Sequence, residues 1–218
     1  MGQRFDLLVF DWDGTLMDSA AHIASSLQAA FRDLALPVPS ETHARHVIGL
    51  GLEDAMMYLN PGLDRGRYED VVERYRVHFL AGDQEVGLFP AVAEGIVALN
   101  QAGYLMAVAT GKSRRGLDRS LLATGLAPYF HASRCADEGF PKPHPQMLHT
   151  IMEMLGAPPE RTLMIGDTTH DLQMAQNAGV AALAVTYGAH LPANLEGMQP
   201  LGCVGSFEQL MQWLKHND

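Results

Sequence analysis

Asp11 and Asp13 stand one residue apart in Asp11-Trp12-Asp13-Gly14-Thr15-Leu16, straight after the apolar run Phe5-Asp6-Leu7-Leu8-Val9-Phe10. Two carboxylates that close repel each other unless a cation or a proton intervenes. The pair suits a hard divalent metal and chemistry on a phosphoryl group. Gly14 lets the chain turn away after the two acids. An Asp-rich turn closing a hairpin would use the same residues, so the weight falls on what else converges. Three further segments do: Thr110-Gly111-Lys112, Lys142 in Pro141-Lys142-Pro143-His144-Pro145, and Gly166-Asp167-Thr168-Thr169-His170-Asp171.

Thr110 offers a hydroxyl and Gly111 a backbone N–H near a helix start, the equipment for holding an oxyanion. An ordinary strand-to-helix turn is the other reading of that pair. Lysine occurs only as Lys112, Lys142 and Lys215. The prolines around Lys142 make a stiff, extended presentation of one ammonium, which suits neutralising shared negative charge. A solvated loop lysine is the alternative, and Lys112 competes for the same role. Asp171 falls one helical turn after Asp167. It can meet a metal water or Lys142, or serve as an acid favourable to a helix N-terminus. The ten histidines do not cluster and show no zinc-site spacing; His144 and His170 flank reactive segments, and His46 and His170 are the two candidates for a role.

The elements that must position these groups read from the hydrophobic pattern. Apolar runs at Phe5–Phe10, Tyr104–Ala109, Thr162–Ile165 and Val180–Val185 show little polar alternation, as expected of parallel strands buried on both faces. Helical patterns lie between them, at Ala91–Gln101, Arg114–Ala123, Pro145–Leu155 and Thr169–Asn177. The alternation predicts an α/β fold with a doubly wound, mostly parallel sheet. Ligands of such sheets bind outside the carboxyl ends of the strands, where Asp11, Asp13, Thr110, Lys112 and Asp167 would share one crevice. From Leu16 to Asp83 the rhythm breaks into helices only: Ala20–Leu34, Ser40–Ile48 with Ser40 as its cap, Leu52–Leu59 and Arg67–Leu80. The expected division is a core of 1–16 and 84–218 with an inserted helical domain of 17–83.

Composition narrows the classes. Hydrophobic residues make up 47% of 218, enough for a packed core, and the formal net charge is -10. That balance argues against nucleic acid and anionic membranes as partners, though a metal and a few local cations can still dominate a cleft. No signal peptide or membrane span is evident. Cys135 and Cys203 read as reduced thiols in a cytoplasmic protein. No Gly-x-x-x-x-Gly-Lys or dinucleotide fingerprint follows the first strand.

The order Asp11-Trp12-Asp13-Gly14-Thr15, Thr110-Gly111 after a strand, Lys142, then Gly166-Asp167-Thr168-Thr169-His170-Asp171 resembles the four-motif signature of the haloacid dehalogenase superfamily, across essentially the whole chain. The helical insert is similar to that family's small cap on a Rossmann-like core, and phosphoglycolate-phosphatase-like and β-phosphoglucomutase-like phosphatases are the members it resembles most. The resemblance implies roles. Asp11 would attack phosphorus and form an aspartyl-phosphate, and Asp13 would act as general acid and base. Thr110 and Gly111 would hold the phosphoryl group, with Lys142 neutralising charge. Asp11, Asp167 and the backbone carbonyl of Asp13 would hold Mg²⁺, with Asp171 in support. In the cap, Arg45, His46, Gly49 and Gly51 would face a small phosphorylated metabolite, although helix breaking explains the two glycines equally well. Dehalogenase members lack the second acid, which is present here as Asp13. Phosphonatase members need a cap lysine, and this cap has none. A phosphomutase, with Arg45 as its basic cap residue, and a non-catalytic binding protein that kept the fold are the alternatives. A monomer or weak homodimer is expected.

Overall fold

A computed structural model describes residues 4–82 and 86–217. Six strands form one all-parallel sheet: β1 (Leu7–Phe10), β2 (Leu105–Thr110), β3 (Ala132–Cys135), β4 (Thr162–Gly166), β5 (Ala181–Val185) and β6 (Cys203–Val204). Their order is β3-β2-β1-β4-β5-β6, which puts β1 in the middle and reverses the winding direction beside it. Phe10 lies level with Val108 of β2 and Ile165 of β4. The three strands that lead into reactive segments are therefore adjacent and end together.

Alternate residues of each strand feed two separate cores. Leu8, Phe10, Met106, Val108, Leu163 and Ile165 face one side. There they meet α5 (Val92–Gln101), α6 (Arg114–Thr124) and α10 (Phe207–Asn217). Leu7, Val9, Ala107, Ala109, Met164, Ala182 and Ala184 face the other. Against them pack α7 (Gln146–Leu155), α8 (Thr169–Ala178) and α9 (Pro192–Glu196). Both faces are covered, which is why the strands carry unbroken apolar runs. The four expected strands and the alternation of helices are those seen. The two edge strands went unread, because Ala-Ser-Arg-Cys and Cys-Val carry no apolar run.

Between β1 and β2 the described residues hold only helices: α1 (Ala20–Asp33), α2 (Glu41–His46), α3 (Leu52–Leu59) and α4 (Tyr68–Gly82). Ser40 caps α2, its hydroxyl accepting from the His43 N–H. This helical unit has its own apolar cluster, built on Ile23, Leu27, Phe31, Met56, Val71 and Phe79. The chain leaves and re-enters the core side by side: Asp18 N–H donates to the Gly87 carbonyl at 2.9 Å and Phe89 N–H to the Leu16 carbonyl at 3.0 Å. The expected boundary at 83 and 84 lies outside the described residues. Among those described, no helix is long and apolar enough to cross a membrane.

Gly95 shows how tightly the first core is packed. A methyl group there would overlap the buried ring of Phe207, where α10 crosses α5. Alanine gains about 1 kcal/mol over glycine in a helix interior, but overpacking a rigid ring costs about 1–3 kcal/mol. Gly95→Ala is therefore expected to lower the unfolding free energy by a net ~1 kcal/mol, read as a lower denaturation midpoint with an unchanged denaturant slope. A stabilised variant would show that the two helices part easily.

Candidate active site

Asp11 follows the last residue of β1, and its N–H donates to the Ile165 carbonyl at 2.9 Å, so sheet pairing continues into the reactive segment. Its Oδ1 takes the Trp12 N–H at 2.6 Å and Lys142 Nζ at 2.9 Å. Its Oδ2 is buried and has no hydrogen-bond partner among the described residues. Lys142 is itself fully buried and donates to Asp171 Oδ1 at 2.6 Å. Asp171 closes the first turn of α8: its Oδ2 accepts from the N–H and hydroxyl of Thr168, and Thr168 Oγ1 accepts in return from the Asp171 N–H. Asp171 therefore serves both the helix start and Lys142.

Asp167 is the third buried acid. Thr15 Oγ1 donates to its Oδ1 and the Ala189 N–H to its Oδ2, each at 2.7 Å. Gly14 makes this approach possible. It has φ of 84°, and a side chain there would overlap the Asp167 carboxylate. Gly188 meets the same carboxylate from the other side and needs the same bareness. Neither Gly188 nor Ala189 carries a sequence signal, because they lie beyond β5, outside any reactive motif.

Carboxylate oxygens of Asp11, Asp167 and Asp171 lie within 4.8 Å of one another. Burial pushes the Asp11 carboxyl up to about 7; Asp171 adds to this, while Lys142 and the Trp12 N–H oppose it. Asp167 is raised well above the ordinary range, first by burial and then by Asp11 and Asp171. Burial works against the charge on Lys142, yet Asp11 and Asp171 outweigh it and hold the ammonium ionised. One cation thus faces three acids, with one carboxylate oxygen left unpaired. A hard divalent cation with oxygen ligands fits this donor set.

The Asp13 carboxylate points elsewhere. It accepts from Ser19 Oγ at 2.8 Å and from Lys112 Nζ, at 3.0 Å on each oxygen. Lys112 also lies 4.8 Å from the centroid of the Phe79 ring, so it links the core to the helical unit. Sequence reasoning set Lys112 against Lys142 for one role; the structure gives each its own acid. Thr110 ends β2, and its Oγ1 accepts the Lys112 N–H at 3.2 Å, which leaves the hydroxyl hydrogen to donate. Asp11, Asp13, Thr110, Gly111 and Lys112 line one cavity of about 680 Å³ between core and helical unit.

The loop 47–51 closes over this cavity, and glycines let it. A Cβ on Gly111 would lie 2.7 Å from the Gly49 carbonyl oxygen, and one on Gly51 would lie 2.8 Å from Pro141. Leu50 bridges the Lys142 backbone. Gly49 and Gly51 line the cavity as expected positions; Gly49 is glycine for its φ of 92° and Gly51 for the close approach of Pro141. Arg45 and His46 do not line it among the described residues. Arg45 is paired with Glu41 at 2.9 Å along α2. The His46 ring stacks on His190, with centroids 5.0 Å apart and planes at 7°. Its carbonyl accepts from His170 Nε2 at 2.7 Å and His190 Nε2 at 3.1 Å. The Thr169 N–H donates to His190 Nδ1, which assigns that tautomer and commits both ring nitrogens. The three imidazoles form a seam between helical unit and core, their nearest ring nitrogens within 4.8 Å of one another.

Set against known proteins, residues 8–185 match the model of the haloacid dehalogenase-like hydrolase family. "Probable phosphatase IndB" of Dickeya dadantii is 40% identical over 94% of this chain and 91% of its own length. A phosphoglycolate phosphatase of Vibrio vulnificus is 30% identical over 96% of each chain. Among solved structures, a predicted phosphoglycolate phosphatase from Haemophilus somnus superposes with a TM-score of 0.84 and 26% identity, covering 97% of this chain and 99% of its own. A hydrolase from Pseudomonas syringae, 20% identical, shares the fold with a TM-score of 0.90 over 99% of each. The chain belongs to the haloacid dehalogenase-like hydrolase family.

Burial, and then the neighbouring His170, lowers the His190 pKa from 6.5 to about 4. The unfolded chain then binds a proton that the folded one refuses, so this residue's contribution is lost as pH falls from 6.5 toward 4. That loss amounts to at most ~3 kcal/mol. His190→Gln is expected to be the less stable protein at pH 8, with the gap narrowing by pH 5 in parallel urea melts. A gap that stays constant would mean that the ring is not held neutral.

Proposed function

We propose that this haloacid dehalogenase-like hydrolase removes the phosphoryl group from small-molecule phosphate monoesters, with Mg²⁺ as its cation and an aspartyl-phosphate on Asp11 as intermediate. The observation that carries the reading is the Asp11 carboxylate at the cavity floor. One oxygen is fixed by Lys142 and the Trp12 N–H, and the other is buried without a partner. A carboxylate held in line is a competent nucleophile toward phosphorus. The helical unit serves as the cap over the site.

Asp11 and Asp167 would hold the cation, together with the Asp13 backbone carbonyl. When bound, it screens the acids from the anionic ester and polarises the phosphoryl oxygens. The remaining work falls to the chain. The Thr110 hydroxyl donates to a phosphoryl oxygen, with the Gly111 N–H beside it. Lys142 balances charge on Asp11 and on the transferring group. Asp11 attacks phosphorus as the ester oxygen departs, and Asp13 supplies the proton that oxygen takes. A water then attacks the aspartyl-phosphate, Asp13 accepts its proton, and phosphate and free Asp11 result. Lys112 and Ser19 hold Asp13 in place at rest, and the approaching ester draws the Lys112 ammonium toward its own charge. The reading as a phosphomutase rested on Arg45 as a basic cap residue, and Arg45 lies outside the cavity, paired with Glu41. A binding protein without catalysis has no need of Asp11, Asp13, Thr110, Lys142 and Asp167 together.

Asp11→Asn is nearly isosteric and relieves a buried charge, so it should fold, yet an amide cannot attack phosphorus. Phosphate release from p-nitrophenyl phosphate is expected to fall by at least about 10⁴-fold, with an unchanged circular dichroism spectrum. Normal turnover by that variant would refute the nucleophile. Activity should also vanish in EDTA and return with Mg²⁺, because bare carboxylates repel an anionic ester. Full activity after verified metal removal would exclude the cation from the reaction.

A further inference from the structure

The cavity above Asp11 is larger and more apolar than a two-carbon acid requires. At about 680 Å³ it falls within the range that encloses drug-sized ligands, roughly 300–1,000 Å³. Its cap-side wall is aliphatic and aromatic: Leu27, Val47, Met56, Val71 and Phe79 line it, all buried. Among the cap side chains lining it, only Tyr75 and Arg76 carry polar atoms. A polyhydroxylated sugar set against that wall would lose water from its hydroxyls and find no partners in return.

Two cations stand at the rim, one on the core and one on the cap. Arg115, on the first turns of α6, and Arg76, on α4, both line the cavity, and both are exposed. Neither has a carboxylate partner among the described residues. That is notable in a chain with net charge -10. Asp137, the acid of the lining outside the reactive segments, is engaged by the Arg114 N–H at 2.9 Å. Two unpaired guanidiniums at the mouth of an apolar chamber suit a second anionic group, held apart from the phosphoryl group at the floor.

We infer that the alcohol released by this enzyme is amphipathic: a branched or aromatic apolar body that packs on the cap wall, bearing a carboxylate that meets Arg115 and Arg76. This deepens the phosphatase reading and rests on it for the position of the phosphoryl group. Such an alcohol is larger than the small metabolite expected to face Arg45, His46, Gly49 and Gly51. The reason is that Arg45 and His46 turn away from the chamber and leave α1, α3 and α4 to form its wall.

Three synthetic esters separate the terms: phosphoglycolate has the carboxylate alone, 2-phenylethyl phosphate the apolar body alone, and O-phospho-3-phenyllactate both. With Mg²⁺ present, kcat/KM for O-phospho-3-phenyllactate is expected to exceed each of the others by at least about tenfold. In Arg115→Ala the advantage of O-phospho-3-phenyllactate over 2-phenylethyl phosphate should shrink at least about threefold, while its advantage over phosphoglycolate persists. The ranking should recur as dissociation constants for Asp11→Asn, measured by calorimetry, which decides the matter without turnover. Phosphoglycolate equal or superior in both measurements would overturn the inference and leave the phosphatase reading standing. Loss of all turnover by the wild type, with the ranking of dissociation constants intact, would instead overturn the phosphatase reading and keep the chamber's specificity.

Discussion

Three carboxylates and one ammonium are buried together where β1 and β4 end. Removing such charges from water is costly, and one ammonium cannot compensate three acids. The surrounding structure is arranged around this constraint. Lys142 bridges Asp11 and Asp171, Thr168 and the start of α8 hold Asp171, and Thr15 with the Ala189 N–H holds Asp167. Gly14 and Gly188 are bare because the Asp167 carboxylate occupies the space a side chain would need. What stays unbalanced, the Asp11 Oδ2 oxygen and the raised proton affinity of two acids, is the part a cation can use.

The sheet makes the cluster possible. Placing β1 between β2 and β4 brings segments from three distant parts of the chain to one edge. Alternation splits each strand between two cores, with alanines Ala107, Ala109, Ala182 and Ala184 on the side of α7 and α8. The helical unit contributes the other half of the chamber. Its contact with the core is a seam of backbone against glycine, closed at one end by the imidazoles of His46, His170 and His190.

Much of this was legible beforehand, for a physical reason. Buried central strands must be apolar throughout, so β1, β2, β4 and β5 announce themselves, and the polar residue after each one marks a carboxyl end. The edge strands are short, and β3 carries Ser133 and Arg134 at half-buried positions, so β3 and β6 left no such trace. The positions of Asp11, Asp13, Thr110 and Asp167 followed from the strands that precede them, whereas Lys142 follows no strand read from the sequence and was singled out by its prolines and by the family resemblance. Partners set by tertiary approach did not follow. Lys112 reaching Asp13, Ala189 reaching Asp167, and His46 turning to His190 depend on how loops fold back, for which local sequence carries no period. The cap lining was misjudged for the same reason: a loop near the site in sequence need not aim its side chains into it.

The burial of Asp11 and Asp167 also governs how a cation is loaded. Both carboxyls hold their protons to higher pH than ordinary acids, so a cation bound by them would compete with protons for the same oxygens. Entry of a cation would expel hydrogen ions into solution, and its apparent affinity would climb with pH until both acids are ionised. The site would then act as a proton store, emptied as the ion arrives and refilled as it leaves.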